Sequence, residues 1–312
     1  MFQSELFIPA ALEYKEKGLR QLEAFDFKAA AESFAIAKEI DPYLADLDFL
    51  ILLGEYGRDH GVKPKTPVAV LAALWHRAKK DFDEGDLPLA AHRHLQQLLA
   101  RRLLQIGQFT PAGFCGEKEK ILHRGVLHAA LNQWQEAHQA LLNLVTEVRE
   151  QALPLHWGYL GDAAHVLRRW KDANMAYVCA LFGDPHEIDL HTLQHAELRE
   201  VLEAVKREAH DENLARALWP VHAWTKGVVQ IPRGNTFLLP LVQKQRSLIG
   251  SELMLEPAQR ARQFSLCLYI DQSGLQGEIQ FDARAEMRNL EPERFSRYLQ
   301  EVERRAAQTR PR

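Results

Sequence analysis

Among fourteen histidines, one pair has a spacing that metal chemistry can use. His191 and His195 stand four apart in "IDLHTLQHAELREV". If that stretch is helical, successive turns would present both imidazoles to one ion. Two ligands fall short of a protein metal site, no HExxH pattern accompanies them, and no cysteine is near in sequence. His92 and His94, two apart, would leave a helix in different directions. Solvated or core-edge histidine is the heavier reading, so no metal and no other cofactor is expected.

Cys115, Cys179 and Cys267 are odd in number and far apart, which leaves no CxxC knuckle and no disulfide framework and suits a reducing compartment. Cys115, in "AGFCGE", is the thiol expected in an exposed loop, yet nothing local supplies the base that a reactive thiolate needs. The phosphate loop GxxxxGK[ST], the GxGxxG fingerprint and the GxSxG elbow are all missing. A non-catalytic protein is the expectation.

Composition points the same way. The 312 residues are 46% hydrophobic and 26% charged, ordinary for a soluble folded chain. Lys and Arg total 39 against 42 Asp and Glu, a formal net charge of -3, without the basic excess of a nucleic-acid binder. The apolar run "LADLDFLILLGEY" contains Asp46 and Asp48 and is shorter than the ~20 residues a membrane span requires. It reads as a buried helix. The start, "MFQSELFIPAALEYKEKG", lacks basic residues at its head, is interrupted by Pro9, and does not read as a secretory signal. A cytoplasmic protein with neither nucleic acid nor membrane as partner is expected.

What positions these side chains is a recurring helix pair. In "HWGYLGDAAHVLRRWKDANMAYVCALFGDP", Trp157, Leu160, Gly161 and Ala164 share one helical face, and Ala173, Tyr177 and Ala180 share another. Gly161 lets a neighbouring helix approach closely, and Gly183 with Pro185 stops the second helix. An earlier stretch places Tyr14, Gly18, Ala30, Phe34, Ala37 and Pro42 at the same relative positions, with twelve residues from glycine to alanine in both copies. A third copy supplies Gly125, Trp134, Ala137, Leu141 and Leu144, with Arg149 in place of the closing proline. A fourth and weaker copy has Ala78, Phe82, Ala90 and a helix running to Leu104. Between copies lie an extra helix after Pro42, the loop "GRDHGVKPKTP", in which Thr66-Pro67 reads as a helix start, and the break "IGQFTPAGFCGEKEK".

Over about residues 11–187 this pattern resembles the tetratricopeptide repeat, with the departure that Ala164 stands where the family usually has Tyr. The resemblance implies an antiparallel helix-pair α-solenoid with a concave groove lined by the first helix of each pair, holding an extended peptide or a partner helix. The corresponding positions are Lys15, Leu19, Trp75, Lys79, Leu122, Val126, Tyr159, Asp162 and His165. Apolar partner side chains would bury against Leu19, Trp75, Val126 and Tyr159, with Lys15, Lys79 and Asp162 setting orientation. Lys15 suits the carboxylate grip of the chaperone-binding members, but Leu19 and Asp162 stand where asparagines would be needed.

Beyond Pro185, "IDLHTLQHAELREVLEAVKREAH" and "DENLARALWPVHAWTKG" read as two capping helices. After Gly227 the pattern changes. "VVQIP" and "TFLLPL" flank a turn, and "SLCLYI" and "LQGEIQF" flank "DQSG", with Leu266, Leu268 and Ile270 alternating against Cys267 and Tyr269 as in a β-hairpin. A last helix runs from Pro292 to about Ala307. The expected fold is therefore mainly α: a repeat domain at 1–227 and a small α+β segment at 228–312, an all-helical segment being the alternative. Its function would be protein–protein interaction or scaffolding, the runner-up being an enzyme or ligand-binding domain at 228–312, and self-association is open.

Overall fold

The structure is a computed structural model that describes residues 4–239, 242, 255–275 and 282–309. Among the described residues it holds fourteen α-helices and no β-strand. The chain divides into two compact units, residues 1–133 and 134–312. The first contains α1 (Ser4–Glu23), α2 (Phe27–Ile40), α3 (Leu47–Asp59), α4 (Val68–Asp83), α5 (Leu89–Ile106) and α6 (Arg124–Ala130). The second contains α7 (Trp134–Glu147), α8 (Pro154–Val166), α9 (Trp170–Gly183), α10 (Ala196–Ala209), α11 (Glu212–Thr225), α12 (Pro257–Ser273), α13 (Ala283–Leu290) and α14 (Pro292–Thr309).

Adjacent helices pack in pairs, and the reason is legible in single atoms. A Cβ added at Gly18 would stand 2.5 Å from the ring of Phe34, and one at Gly161 would stand 2.7 Å from the ring of Tyr177. Each ring is buried to 1% exposure or less, so α1 closes on α2, and α8 on α9, around a large aromatic seated on a bare backbone. Burying such a side chain contributes about 1.5–3 kcal/mol. The alanines Ala30 and Ala173 beside the rings are buried too and keep the helix axes close. α3 joins the first pair by the same device, laying Gly54 against Ala31 and Gly57 against Phe27.

The turns repeat as well. Phe25, Asn132 and Arg168 all have positive φ, at 63°, 58° and 58°, a left-handed conformation that reverses the chain in one residue. In each turn the next amide reaches back five residues. Asp26 N donates to Gln21 O at 2.9 Å, Gln133 N to His128 O at 2.9 Å, and Arg169 N to Ala164 O at 2.8 Å. A new helix then opens on an aromatic, Phe27, Trp134 or Trp170. The weak fourth copy keeps the turn, with Gly85 at φ 87° and Asp86 N donating to Asp81 O, but its second helix is displaced. Ala90 is exposed, and Ala91 is the buried alanine. The turn after α10 is one residue shorter, with His210 at φ 54°. α11 nevertheless buries Ala215 and Trp219 at the places held by Ala30 and Phe34 in α2.

Four expectations differ from the structure. The residues "SLCLYI" are not a hairpin arm. They lie in α12, where Leu266, Cys267, Leu268, Tyr269 and Ile270 are all at most 1% exposed. A helix buried on every side has no polar face, so its sequence loses the 3.6-residue period and alternation can be read into it. The second arm, apart from Leu275, falls outside the described residues, as do the last two residues of "TFLLPL"; residues 228–232 form no strand. The α+β segment thus gives way to helices packed on the second unit: Ser265 Oγ donates to Ala217 O at 3.1 Å and Tyr269 OH to Asn235 O at 2.7 Å. Thr66 is not a helix cap either. Its hydroxyl accepts from Lys63 N at 2.8 Å, and α4 begins after Pro67.

The helix expected from Ile188 begins only at Ala196, with His195 as its N-cap and His191 in the preceding turn. The two imidazoles are therefore not on successive helical turns. Cys115 is buried rather than exposed, and burial pushes its thiol up to about 12. Among the described residues no group of three or more His, Cys, Asp or Glu side chains could hold a metal ion. No described helix is long and apolar enough to cross a membrane.

Candidate functional site

The nine positions assigned to a groove separate by burial. Trp75, Leu122, Val126, Tyr159 and Asp162 are between 0 and 5% exposed, so a partner cannot reach them in this arrangement. Lys15, Leu19, Lys79 and His165 are half-buried. Lys15 is engaged internally: its Nζ donates to Ala45 O at 2.7 Å and lies 3.6 Å from Asp46, tying α1 to the α2–α3 turn.

Only at the end of the α8–α9 pair do several of these positions come together. Asp162, a helical turn before the end of α8, accepts from Tyr177 OH at 2.7 Å and from the Gln194 amide at 2.8 Å through the same Oδ1. Burial pushes its carboxyl up to about 8, with the Asp189 charge adding to the shift, while the Gln194 amide, Tyr177 and Arg199 act against it. Asp162 thereby locks the 184–195 loop onto the pair. Beside it, Tyr159 OH donates to Asp189 Oδ2 at 2.9 Å, a second tie to that loop.

Outward from this lock runs a row of rings. His195 meets the Tyr177 ring at 5.4 Å, His165 lies 4.7 Å from His195, and Trp170 meets His165 edge-on at 5.3 Å and 78°. Burial holds both imidazoles below the usual histidine range, and their mutual repulsion lowers His195 further. The buried Nδ1 of His195 has no hydrogen-bond partner among the described residues. The row ends at the surface. Trp170 is 59% exposed, Val166 is 39% exposed, and Arg168, Arg169 and Lys171 are exposed around them.

Trp170 was not among the sequence-assigned residues, although its register carried the signal. It opens the second helix of a pair, three residues before the buried alanine, as Phe27 does. An aromatic there is a packing residue when a helix follows closely, and an open one when a loop does.

No protein-family profile matches this chain, and no curated protein or solved structure matches it either.

Proposed function

We propose that this protein is a non-catalytic interaction module, a helical-repeat array of the tetratricopeptide kind that presents its surface to another protein. The observation that supports it is the recurrence of one pair geometry: a glycine under a buried aromatic, then a left-handed turn residue, then a helix opening on an aromatic. Repeats of this sort stack into extended surfaces whose use is recognition. The buried positions move the recognition surface away from Trp75, Leu122, Val126, Tyr159 and Asp162, and toward exposed side chains between and beyond the pairs. Affinity capture with the full chain from native cell extract tests this reading. One or more proteins retained at stoichiometric levels are expected. Retention of none, with light scattering showing a monomer at every concentration, counts against it.

A second reading has one observation of its own. A depression of about 470 Å³ is lined by Arg233, Gln272, Ser273 and Arg284 around Asp271, which gives the C-terminal segment a place for a small ligand. Its polar groups already serve one another: Arg284 Nε bonds both Asp271 oxygens at 3.0 and 3.1 Å, and Tyr298 OH donates to Oδ2. That mutual engagement makes it the lesser reading. A thermal shift on adding small carboxylates or phosphate, abolished by Arg233→Ala, would raise it.

A further inference from the structure

We propose that Trp170, with the cations around it, receives an acidic segment of a partner protein that carries an apolar side chain. The inference rests on the interaction-module reading and gives it a surface and a partner chemistry.

The chain itself shows what an aromatic at this place does when it is served from within. Phe27 opens α2 as Trp170 opens α9, two residues after a left-handed turn residue and three before a buried alanine. In the first unit α3 packs against it. Gly57 lies against the Phe27 ring, Gly54 lies against Ala31 one turn on, and Phe27 is 0% exposed. After α9 the chain enters a loop instead, the indole remains 59% exposed, and Val166, the last residue of α8, is 39% exposed. At the place equivalent to Ala31 stands Asn174, clasped on both sides by the Gln230 backbone at 2.7 and 2.8 Å. An occupant is thereby confined to the α8–α9 turn, which suits a short segment better than a long helix.

Charge selects among segments. Arg168, Arg169 and Lys171 flank Trp170 along the chain and are exposed, and none has a carboxylate within ion-pairing distance among the described residues. Arg169 reaches only the His138 ring, at 3.4 Å. The acidic neighbour Asp172 lies 3.9 Å from His138 Nε2, and the Glu197 charge acts further in, on His165 and His195. An exposed tryptophan braced edge-on by His165 and flanked in sequence by Arg168, Arg169 and Lys171 has the composition of an interface hot spot. Unpaired cations at its rim would steer an acidic partner and raise its on-rate. A nucleic acid would also meet cations and a stacking ring here, but strand binders need a groove of cations that tracks successive phosphates. Three cations at one turn, with an aliphatic valine among them, favour an acidic peptide.

A random peptide display library panned on the full chain, with Trp170→Ala panned in parallel, tests the proposal. Enriched peptides are then dye-labelled and titrated by fluorescence anisotropy at low and physiological salt. The expected peptides carry Asp or Glu around Leu, Phe or Trp, weaken with salt, and lose tenfold or more in affinity against Trp170→Ala. The exposed position lets that variant keep the parent's thermal unfolding. Lys171→Glu should weaken the same peptides, and neutral versions of the peptides should lose this sensitivity. Enriched peptides indifferent to Trp170→Ala overturn the proposal while leaving the interaction-module reading standing. A library with no enrichment over background overturns both. A single-stranded oligouridylate that binds more tightly than every peptide, and that is lost in Trp170→Ala, replaces the protein partner with a nucleic acid.

Discussion

A methyl group placed on Gly161 would stand 2.7 Å from the ring of Tyr177, closer than two carbon atoms can rest. The neighbouring glycine of the same helix, Gly158, is in a different position, for the nearest atom to a Cβ there is Ile188 Cγ2 at 3.9 Å. The two sites therefore predict opposite signs. Gly161→Ala forces α8 and α9 apart and should destabilise the second unit by about 1–3 kcal/mol, the usual cost of overpacking. Gly158→Ala adds a methyl in ordinary contact and lowers the backbone entropy of the unfolded helix, which should stabilise by up to about 1 kcal/mol. Urea unfolding midpoints of the two variants read this directly. A higher midpoint for Gly161→Ala than for Gly158→Ala would overturn the pair geometry.

The turns make a second prediction. Asn132 holds φ 58° in the turn that Phe25 and Arg168 share, and asparagine tolerates this region where β-branched residues do not. Asn132→Val should cost about 1–2 kcal/mol, while Asn132→Gly should stay within about 0.5 kcal/mol of the parent. Because Asn132 is exposed, lost packing does not account for a valine effect. Equal stabilities for the two variants would mean that the turn is not left-handed in solution.

The parts of this fold readable in the sequence are those fixed by neighbours close along the chain. Gly18 with Phe34, and Gly161 with Tyr177, lie within one helix pair, so their spacing survives as a sequence pattern. The positions assigned to a groove were less legible, since a register position says which face a residue occupies and not what covers that face. Trp75 and Tyr159 occupy first-helix positions that a partner would meet in a regular stack, yet they are buried among their own neighbours. α12 was hidden for another reason. Its run from Phe264 to Ile270 is buried throughout, so contacts with distant segments such as Ala217 and Asn235 determine it, and no local period records them. The His191–His195 pair failed through a boundary: the helix that would have aligned the rings starts at Ala196.

The last prediction concerns pH. Asp162 is wholly buried, and its carboxyl is pushed up to about 8, whereas the unfolded chain ionises an aspartate near ~3.9. The folded state thus holds a proton that the unfolded state gives up between these values. The stability this group contributes is full below about pH 4 and is lost as pH rises through about 8. Each unit of difference is worth about 1.4 kcal/mol, so the slope should be measurable, with the full span an upper bound. Asp189, Arg199 and Tyr177 face the carboxyl and set its local field. His165 and His195, held low by burial, act in the opposite sense, losing stability as pH falls below about 6.5. Comparing the parent with Asp162→Asn removes that background. The amide oxygen can still accept from Tyr177 OH and from the Gln194 amide, and it cannot ionise. Denaturation of both proteins from pH 5 to pH 9 should show the variant gaining on the parent with every step toward alkaline pH. Parallel curves would mean that Asp162 is ionised throughout, and that the lock on the 184–195 loop is a charged one.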